Sequence, residues 1–220
     1  MGGMNGDPDL DDPKTLDKIA GDALASEKLQ QRGPDGEELS YDRDSQIPYT
    51  GWAKFMHDSG QVKALWHCKD GKQDGLLTEW YEDGQKESKI HYKDGKEDGL
   101  LTWWYENGQK ESETHCKDGK LDGLLTCWHE NGQKVREYHY KDGNKDGLEA
   151  GWYENGQKEV EGYYKDRNKD GLWTKWYENG QKQVEAHFKD GKEDGLETEW
   201  DEDGKVLSET HFKDGVKVKE

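Results

Sequence analysis

Short runs of alternating apolar and polar residues recur along most of the chain and are separated by signals for tight turns. In one example, residues 100–105 alternate, Glu106-Asn107-Gly108 follow, and a second alternating run extends over residues 109–117. Alternation with a period of about two residues is typical of a β-strand with side chains on two faces, and an intervening Asn-Gly signal is typical of a hairpin. The pattern therefore predicts consecutive β-hairpins.

The hairpin pattern repeats every 24 residues without insertion or deletion. Each repeat is numbered here from the glycine that begins its first strand, which is Gly51, Gly75, Gly99, Gly123, Gly147, Gly171 and Gly195 in turn. Position 6 is a tryptophan in six repeats, and these residues form the predicted structural core: Trp80, Trp104, Trp128, Trp152, Trp176 and Trp200. A fixed period predicts a repeat architecture in which each unit packs against its neighbours. The predicted fold class is all-β, an open single-layer antiparallel meander of seven 24-residue β-hairpin repeats with a short N-terminal helix.

The length of the hairpin loop determines which side chains share a face of the sheet. A three-residue loop at Glu106-Asn107-Gly108, with the glycine in the left-handed conformation, groups Leu100, Thr102, Trp104, Thr114 and Cys116 on one face and Tyr105, Glu111, Glu113 and His115 on the other. A two-residue loop would instead place Trp104 with Glu111, Glu113 and His115. We predict the three-residue loop, because it makes one face apolar in every repeat. The intervening turns, such as Asp118-Gly119-Lys120-Leu121-Asp122, are interpreted with the same loop length.

The chain divides into three predicted segments: an acidic disordered tail at 1–12, a helical leader with a first strand at 13–48, and the seven repeats at 49–220. Asp12-Pro13 suits the N-cap and first turn of a helix. Apolar residues follow at helical spacing, namely Leu16, Ile19, Ala20, Ala23 and Leu24, and Gly33-Pro34 ends the pattern. We expect a helix of about 20 residues that covers the first sheet edge or part of the apolar face.

The repeat from Asp74 to Glu97, DGLLTEWYEDGQKESKIHYKDGKE, resembles the variant form of the membrane occupation and recognition nexus (MORN) repeat. The resemblance covers residues 48–215 and lies in the repeated WYENGQK and KDGK elements. This variant is found in bacterial proteins that are commonly described as antitoxins of toxin-antitoxin systems. The resemblance implies an elongated array of hairpins with no cofactor and no catalytic apparatus, and it implies an antitoxin role.

The composition combines a low apolar content with many aromatic residues. Only 29% of the residues are apolar and the formal net charge is -18, yet the chain has ten Trp and eleven Tyr, which indicates an ordered protein with few but large apolar side chains. The negative charge disfavours binding to nucleic acids and to anionic membranes, and it favours a basic protein partner. Three cysteines and the lack of a secretory signal at the N-terminus predict a cytoplasmic protein.

Repeated histidines are the main candidates for metal binding. They occupy position 17 of six repeats: His67, His91, His115, His139, His187 and His211. Equivalent positions of adjacent hairpins are two strands apart, about 10 Å, which is too far for two imidazoles to share a zinc ion. The Asp-Gly turns lack the ligand spacing of a calcium loop. No nucleotide-binding or nucleophile motif is present, so we predict no metal, no cofactor and no catalytic site.

Aromatic residues outside position 6 are the candidates for contact with a partner. The candidates form two groups. The first consists of tyrosines on the second predicted face, and the second of residues that differ between repeats, because varying residues are better suited to select a partner. The candidates are Trp66, Tyr81, Trp103, Tyr105, His129, Tyr138, Tyr153, Trp173 and Tyr177. We predict a scaffold for protein-protein binding, with neutralisation of a basic toxin as its most specific form. The alternatives are a structural repeat that self-associates into a homo-oligomer and a membrane-associated scaffold.

Overall fold

The computed structural model describes residues 7–33 and 38–219, and it confirms the predicted antiparallel hairpin repeats. The α-helix in this part of the chain is α1, Pro13–Asp22, and a short 3-10 turn follows at Ser26–Lys28. No helix in these ranges has the length and apolar character that a membrane span requires. The strands are β1 Leu24–Ala25, β2 Leu29–Arg32, β3 Leu39–Asp42, β4 Gly51–Met56, β5 Val62–Lys69, β6 Lys72–Trp80, β7 Lys86–Lys93, β8 Lys96–Trp104, β9 Lys110–Lys117, β10 Lys120–Leu121, β11 Gly123–Trp128, β12 Lys134–Lys141, β13 Asn144–Trp152, β14 Lys158–Lys165, β15 Asn168–Trp176, β16 Lys182–Lys189, β17 Lys192–Trp200, β18 Val206–Lys213 and β19 Val216–Lys217.

The chain forms two compact units. The first comprises the described residues of Met1–Gly108 with Cys116–Gly119, and the second those of Gln109–His115 with Lys120–Glu220. In the first unit β4 to β8 pair in chain order, and β2 pairs with β3. In the second unit β11 to β19 pair in chain order. Each unit is therefore a meander of consecutive hairpins.

Two kinds of turn alternate along the meander. At the loop after β6, the Tyr81 amide donates to the Gln85 carbonyl at 2.9 Å, and Gly84 has a φ of 86°, so the predicted three-residue loop with a left-handed glycine is confirmed. The turn between β7 and β8 has two residues, Asp94 and Gly95, at φ values of 49° and 82°. Two left-handed residues are typical of a type I′ turn, whose twist matches that of the strands. The prediction of three residues at this second turn was wrong.

In each hairpin whose two strands are paired in the described structure, a β-bulge follows the three-residue loop. After β6, Trp80 pairs with Lys86, but Glu79 pairs with Ser88, so Glu87 is an extra residue in β7. The register shifts at the same place in other repeats, between Phe55 and Met56, Cys127 and Trp128, Gly151 and Trp152, Lys175 and Trp176, and Glu199 and Trp200. An extra residue moves all the following side chains of the strand to the opposite face.

The bulge makes the predicted grouping of faces wrong. The grouping of position 6 with positions 16 and 18, predicted for Trp104 with Thr114 and Cys116, is not found in the described pairs. In the sixth repeat, Leu172 pairs with His187, whereas Trp173 pairs with Ala186. We call one side the repeated face, which in this repeat consists of Leu172, Thr174, Trp176, Lys182, Glu185 and His187. We call the other the variable face, which here consists of Gly171, Trp173, Lys175, Val184, Ala186, Phe188 and Glu193.

The leader covers the repeated face at the start of the first unit. The Asp12 carboxylate caps α1 by accepting from the Thr15 amide at 3.0 Å. The helix has ten residues, shorter than predicted, because Leu24 and Ala25 leave it to pair in parallel with β4. The pairing covers the free edge of β4, which would otherwise be open to other chains. The core beneath the leader consists of Leu10, Ala23, Leu65, Leu76 and Trp80, with Leu16, Ile19, Trp52 and Val62 packed against it.

Residues 1–6 of the predicted tail lie outside the described residues. Within the remainder of the tail, Leu10 is buried in the leader core. The boundary between tail and leader stays a prediction, but the ordered contacts begin before residue 13.

Two leucines at position 2 provide a matched test of the leader contact. Leu76 lies under the leader and is 1% exposed, whereas Leu172 is 42% exposed. We expect Leu76→Ala to lower the free energy of unfolding by about 2–5 kcal/mol, because it leaves a cavity, and Leu172→Ala to lower it by about 1 kcal/mol or less. Urea unfolding followed by tryptophan fluorescence measures both losses. Equal losses would contradict the assigned cover.

Candidate functional site

Differences between the repeats are concentrated on the variable face. Four of the predicted partner-binding residues lie on it, Trp66 and Tyr138 at position 16, Trp103 at position 5 and Trp173 at position 3. At position 3, for example, the residue in successive repeats is Ala53, Leu77, Leu101, Leu125, Glu149, Trp173 and Glu197. The repeated face instead keeps nearly the same residue at each position. The variable face thus carries the information that distinguishes one part of the array from another.

The tyrosines at position 7 connect successive repeats. The Tyr81 hydroxyl donates to the carbonyl of Trp104 at 2.7 Å, and Tyr153 and Tyr177 donate in the same way to Trp176 and Trp200 at 2.6 and 2.9 Å. Tyr105 and His129 occupy the same position. Sequence reasoning treated this row as partner contacts and missed the hydrogen bonds, although the constant spacing of 23 residues between donor and acceptor was visible. Partner contact by these five residues stays a prediction.

Trp173 is the centre of an aromatic cluster on the variable face of the second unit. Its side chain is 5% exposed, and its indole N–H donates to the carbonyl of Tyr163 at 3.0 Å. Gly162 makes room for the indole, since a Cβ atom there would lie 2.2 Å from the ring. Tyr164 and Phe188 contact the ring edge-on, with centroids 5.2 and 6.3 Å away. These contacts fix the orientation of the cluster.

Two lysines lie over the aromatic rings and differ in their partners. Lys145 Nζ is 3.7 Å from the ring centroid of Tyr138 and forms an ion pair with the buried Glu149 at 3.2 Å. Lys169 Nζ is 4.3 Å from the ring centroid of Trp173, which occupies the place that Glu149 has in the preceding repeat. Burial, and secondarily the nearby Lys175 ammonium, lower the pKa of Lys169. Because Trp173 replaces the glutamate of the preceding repeat, the half-buried Lys169 lies beside an aromatic ring where Lys145 has a carboxylate.

A cavity of about 330 Å³ adjoins this cluster. Its apolar wall consists of Trp173, Val184, Ala186 and Phe188, and its charged rim of Lys169, Lys175, Glu193 and Glu197. Burial raises the pKa of the Glu197 carboxyl, and repulsion from Glu193 and Glu199 adds to the shift. The volume is sufficient for one large side chain and lies at the lower end of the range for ligand pockets. An apolar floor with a charged rim is typical of an anchor point in a protein interface.

A second cavity, of about 270 Å³, lies on the other side of Trp173. Arg136 crosses its wall and pairs with Glu159 at 2.8 Å and with Glu149 at 3.8 Å. Burial and the Glu149 carboxylate together raise the pKa of the Tyr138 hydroxyl. The two cavities and the cluster form the candidate functional site of the second unit. Sequence reasoning found Tyr138 and Trp173 by their variation, but it missed Lys169 and Arg136, which look like ordinary surface residues in the sequence.

Three of the position 17 histidines contact the backbone through a ring nitrogen. His67, His91 and His139 place Nδ1 at 2.8, 3.0 and 3.1 Å from the carbonyls of Asp74, Leu100 and Leu148. In residues 7–33 and 38–219, no three side chains of His, Cys, Asp or Glu converge as metal ligands would. The thiols of Cys68, Cys116 and Cys127 are unpaired with each other.

Comparison with protein families gives a match to one repeat type. The MORN repeat variant family matches six segments, residues 73–94, 97–118, 121–142, 145–166, 169–190 and 193–214. These segments cover more than half of the chain, and all but the last two residues of the first predicted repeat precede them. No match was found among curated proteins.

Cys116 provides a test of the burial assigned to position 18. Burial and the nearby Glu97 carboxylate raise its pKa to about 11, so that at pH 8 only about one thiol in 1000 is ionised. We expect iodoacetamide to modify Cys116 in the native protein about 100-fold more slowly than in urea at pH 8, with a roughly tenfold increase per pH unit up to about pH 11. Mass spectrometry of the labelled peptides measures both rates. Rapid native labelling at pH 8 would contradict the assignment.

Proposed function

The chain belongs to the MORN repeat variant family, and from this premise we propose that it is a non-catalytic scaffold that binds a partner protein through the variable face of its second unit. The observation that carries the proposal is the concentration of sequence differences on that face, around Trp173. A scaffold whose only task was to hold hairpins together would need the same residues in every repeat. Variation beside a preformed cavity supports selective recognition instead.

The partner is a basic protein. The net charge of -18 accelerates the approach of a positively charged molecule and makes the association sensitive to salt. Glu193 and Glu197 on the rim of the cavity have no ion-pair partner among the described residues and offer carboxylates to an incoming lysine or arginine. The aromatic wall beside them packs against the aliphatic stem of such a side chain.

Neutralisation of a toxin is the most specific form of this proposal. A basic toxin fits the charge of the chain and the preformed cavity. The family match describes the repeat and names no partner, so this form depends on the resemblance of the repeats to antitoxins.

The proposal predicts that charge reversal at the rim abolishes partner binding. The tagged protein and its Glu193→Lys/Glu197→Lys variant are used to capture proteins from a lysate of the source cells at low and high salt. We expect one basic protein to bind the parent chain stoichiometrically, to be released by salt, and to lose at least tenfold in affinity for the variant, because like charges then meet at the anchor point.

The matched control is Glu202→Lys/Asp203→Lys, which makes the same change of charge in an exposed hairpin loop of the second unit. It should retain the partner almost fully. Equal loss in both variants would show only a general effect of charge and would contradict recognition at the cavity. If the tagged protein captures only further copies of itself, and its mass in light scattering rises with concentration, the self-associating alternative would be favoured.

A further inference from the structure

The leader shows how an amphipathic segment covers the repeated face. Leu10 and Ala23 pack on Leu65, Leu76 and Trp80, residues at positions 15, 2 and 6 of the repeats. The Lys54 ammonium donates to the carbonyl of Ala20 at 2.6 Å, near the end of α1. The first unit therefore contains a complete example of a helix seated on this face.

Charged residues of the leader contact repeat positions that recur along the chain. Asp11 forms an ion pair with Lys86, which is at position 12. Asp7 Oδ2 lies 3.5 Å from Nε2 of His91, which is at position 17. Position 12 is lysine again at Lys110, Lys134, Lys158 and Lys182, and position 17 is histidine at His115, His139, His187 and His211.

The same face lacks such a cover in the described part of the second unit. At position 2, Leu124 and Leu172 are 39% and 42% exposed, whereas Leu76 under the leader is 1% exposed. Tyr163 at position 17 is 54% exposed. Trp152, Trp176 and Trp200 are partly buried, each beneath a lysine about 5.7 to 5.8 Å from its ring centroid. Exposed leucines beside partly buried tryptophans, on a face that a helix covers elsewhere in the same chain, indicate a docking surface.

The charge of this surface changes where the leader ends. Position 15 is Leu65 and Lys89 in the leader-covered repeats, and it becomes Glu113, Glu137, Glu161, Glu185 and Glu209 thereafter. The first four of these glutamates pair with the position 12 lysine three residues earlier, as in Lys158 with Glu161 and Lys182 with Glu185, whereas the seventh repeat has Val206 at position 12. The pairing removes the positive charge that attracts the acidic leader in the first unit, and the net charge of -18 then repels a second acidic segment.

The spacing of the repeats matches that of a helix. Each repeat contributes two strands of about 4.8 Å, so equivalent side chains of neighbouring repeats are about 9.6 Å apart. Seven residues of an α-helix rise about 10.5 Å. A helix that crosses the strands would therefore present one apolar residue of each heptad to each repeat.

We propose that the repeated face of the second unit, from Leu124 to Trp200, docks an amphipathic α-helix of a partner protein whose apolar stripe is bordered by lysine or arginine. The basic residues contact the position 15 glutamates, and the apolar stripe covers the leucines and tryptophans. This surface lies on the opposite side of the sheet from the cavity beside Trp173, and the inference does not depend on binding there.

The test uses two peptides derived from the leader itself. Both contain residues 9–25 with Gly21→Ala to favour the helix, and the basic peptide also carries Asp11→Lys, Asp17→Lys and Asp22→Lys. Isothermal titration calorimetry measures the binding of each to the full chain. We expect the basic peptide to bind at least tenfold more tightly than the acidic peptide.

Two variants locate the binding. Glu137→Lys/Glu161→Lys/Glu185→Lys recreates the positive surface of Lys89, so it should weaken the basic peptide at least tenfold and strengthen the acidic one. Leu124→Gln/Leu172→Gln changes only exposed side chains and should weaken the basic peptide without a change of charge. Glu193→Lys/Glu197→Lys on the variable face should leave its affinity unchanged, so failure here is distinguishable from failure of the cavity proposal.

Three results would overturn the inference. Tighter binding of the acidic peptide would show that the face accepts the leader of a second copy. Absence of binding by the basic peptide would show that the face does not accept such a helix. Binding that is unaffected by both face variants would place the peptide elsewhere.

Discussion

One extra residue in the second strand of each hairpin determines the chemistry of the two faces. The three-residue loop at the hairpin end, taken alone, would place position 6 with positions 16 and 18. The bulge, at Glu87 in the second repeat, shifts the strand by one residue and places position 6 with positions 15 and 17. Because side chains alternate along a strand, this single shift sorts the repeated residues onto one side and the varying residues onto the other.

The sorting gives the two faces different physical roles. Neighbouring hairpins share a row of Trp, Lys and Glu on the repeated face, while tyrosine hydroxyls at position 7 join one repeat to the next. Each exposed Lys-Glu pair contributes only about 0–1 kcal/mol, so the row can rearrange when another molecule covers it. The variable face can change without loss of these contacts. Trp173 illustrates this freedom, since Gly162 on one neighbouring strand and Ala186 on the other accommodate its ring.

The period, the hairpins and the left-handed glycines could be predicted from the sequence, because each follows from local residue preferences. The Asp-Gly turn at Asp94-Gly95 could also have been predicted, since that dipeptide is the usual signal for a type I′ turn. The bulge could not, because nothing in the residues around Glu87 marks it, and the error placed the residues of the second strand on the wrong face. The helix ended early because pairing of Leu24 with β4 covers a free edge, a tertiary effect that helical spacing does not show. The candidate site was found only in part, through the variation at Tyr138 and Trp173. Lys169 was missed because its environment depends on the rings of Trp173, four residues later, and of Phe188 on the neighbouring strand.

Cysteine cross-linking in the sixth repeat tests the bulge most directly. The described register pairs Thr174 with Glu185, whereas a hairpin without the bulge would pair Thr174 with Val184. Disulfides form readily only when the Cα atoms are about 4.4–6.8 Å apart with the side chains on the same face. Under mild oxidation, Thr174→Cys/Glu185→Cys should form the cross-link rapidly and Thr174→Cys/Val184→Cys should not, as mass spectrometry of the proteolytic peptides would show. The reverse result would contradict the division into a repeated and a variable face.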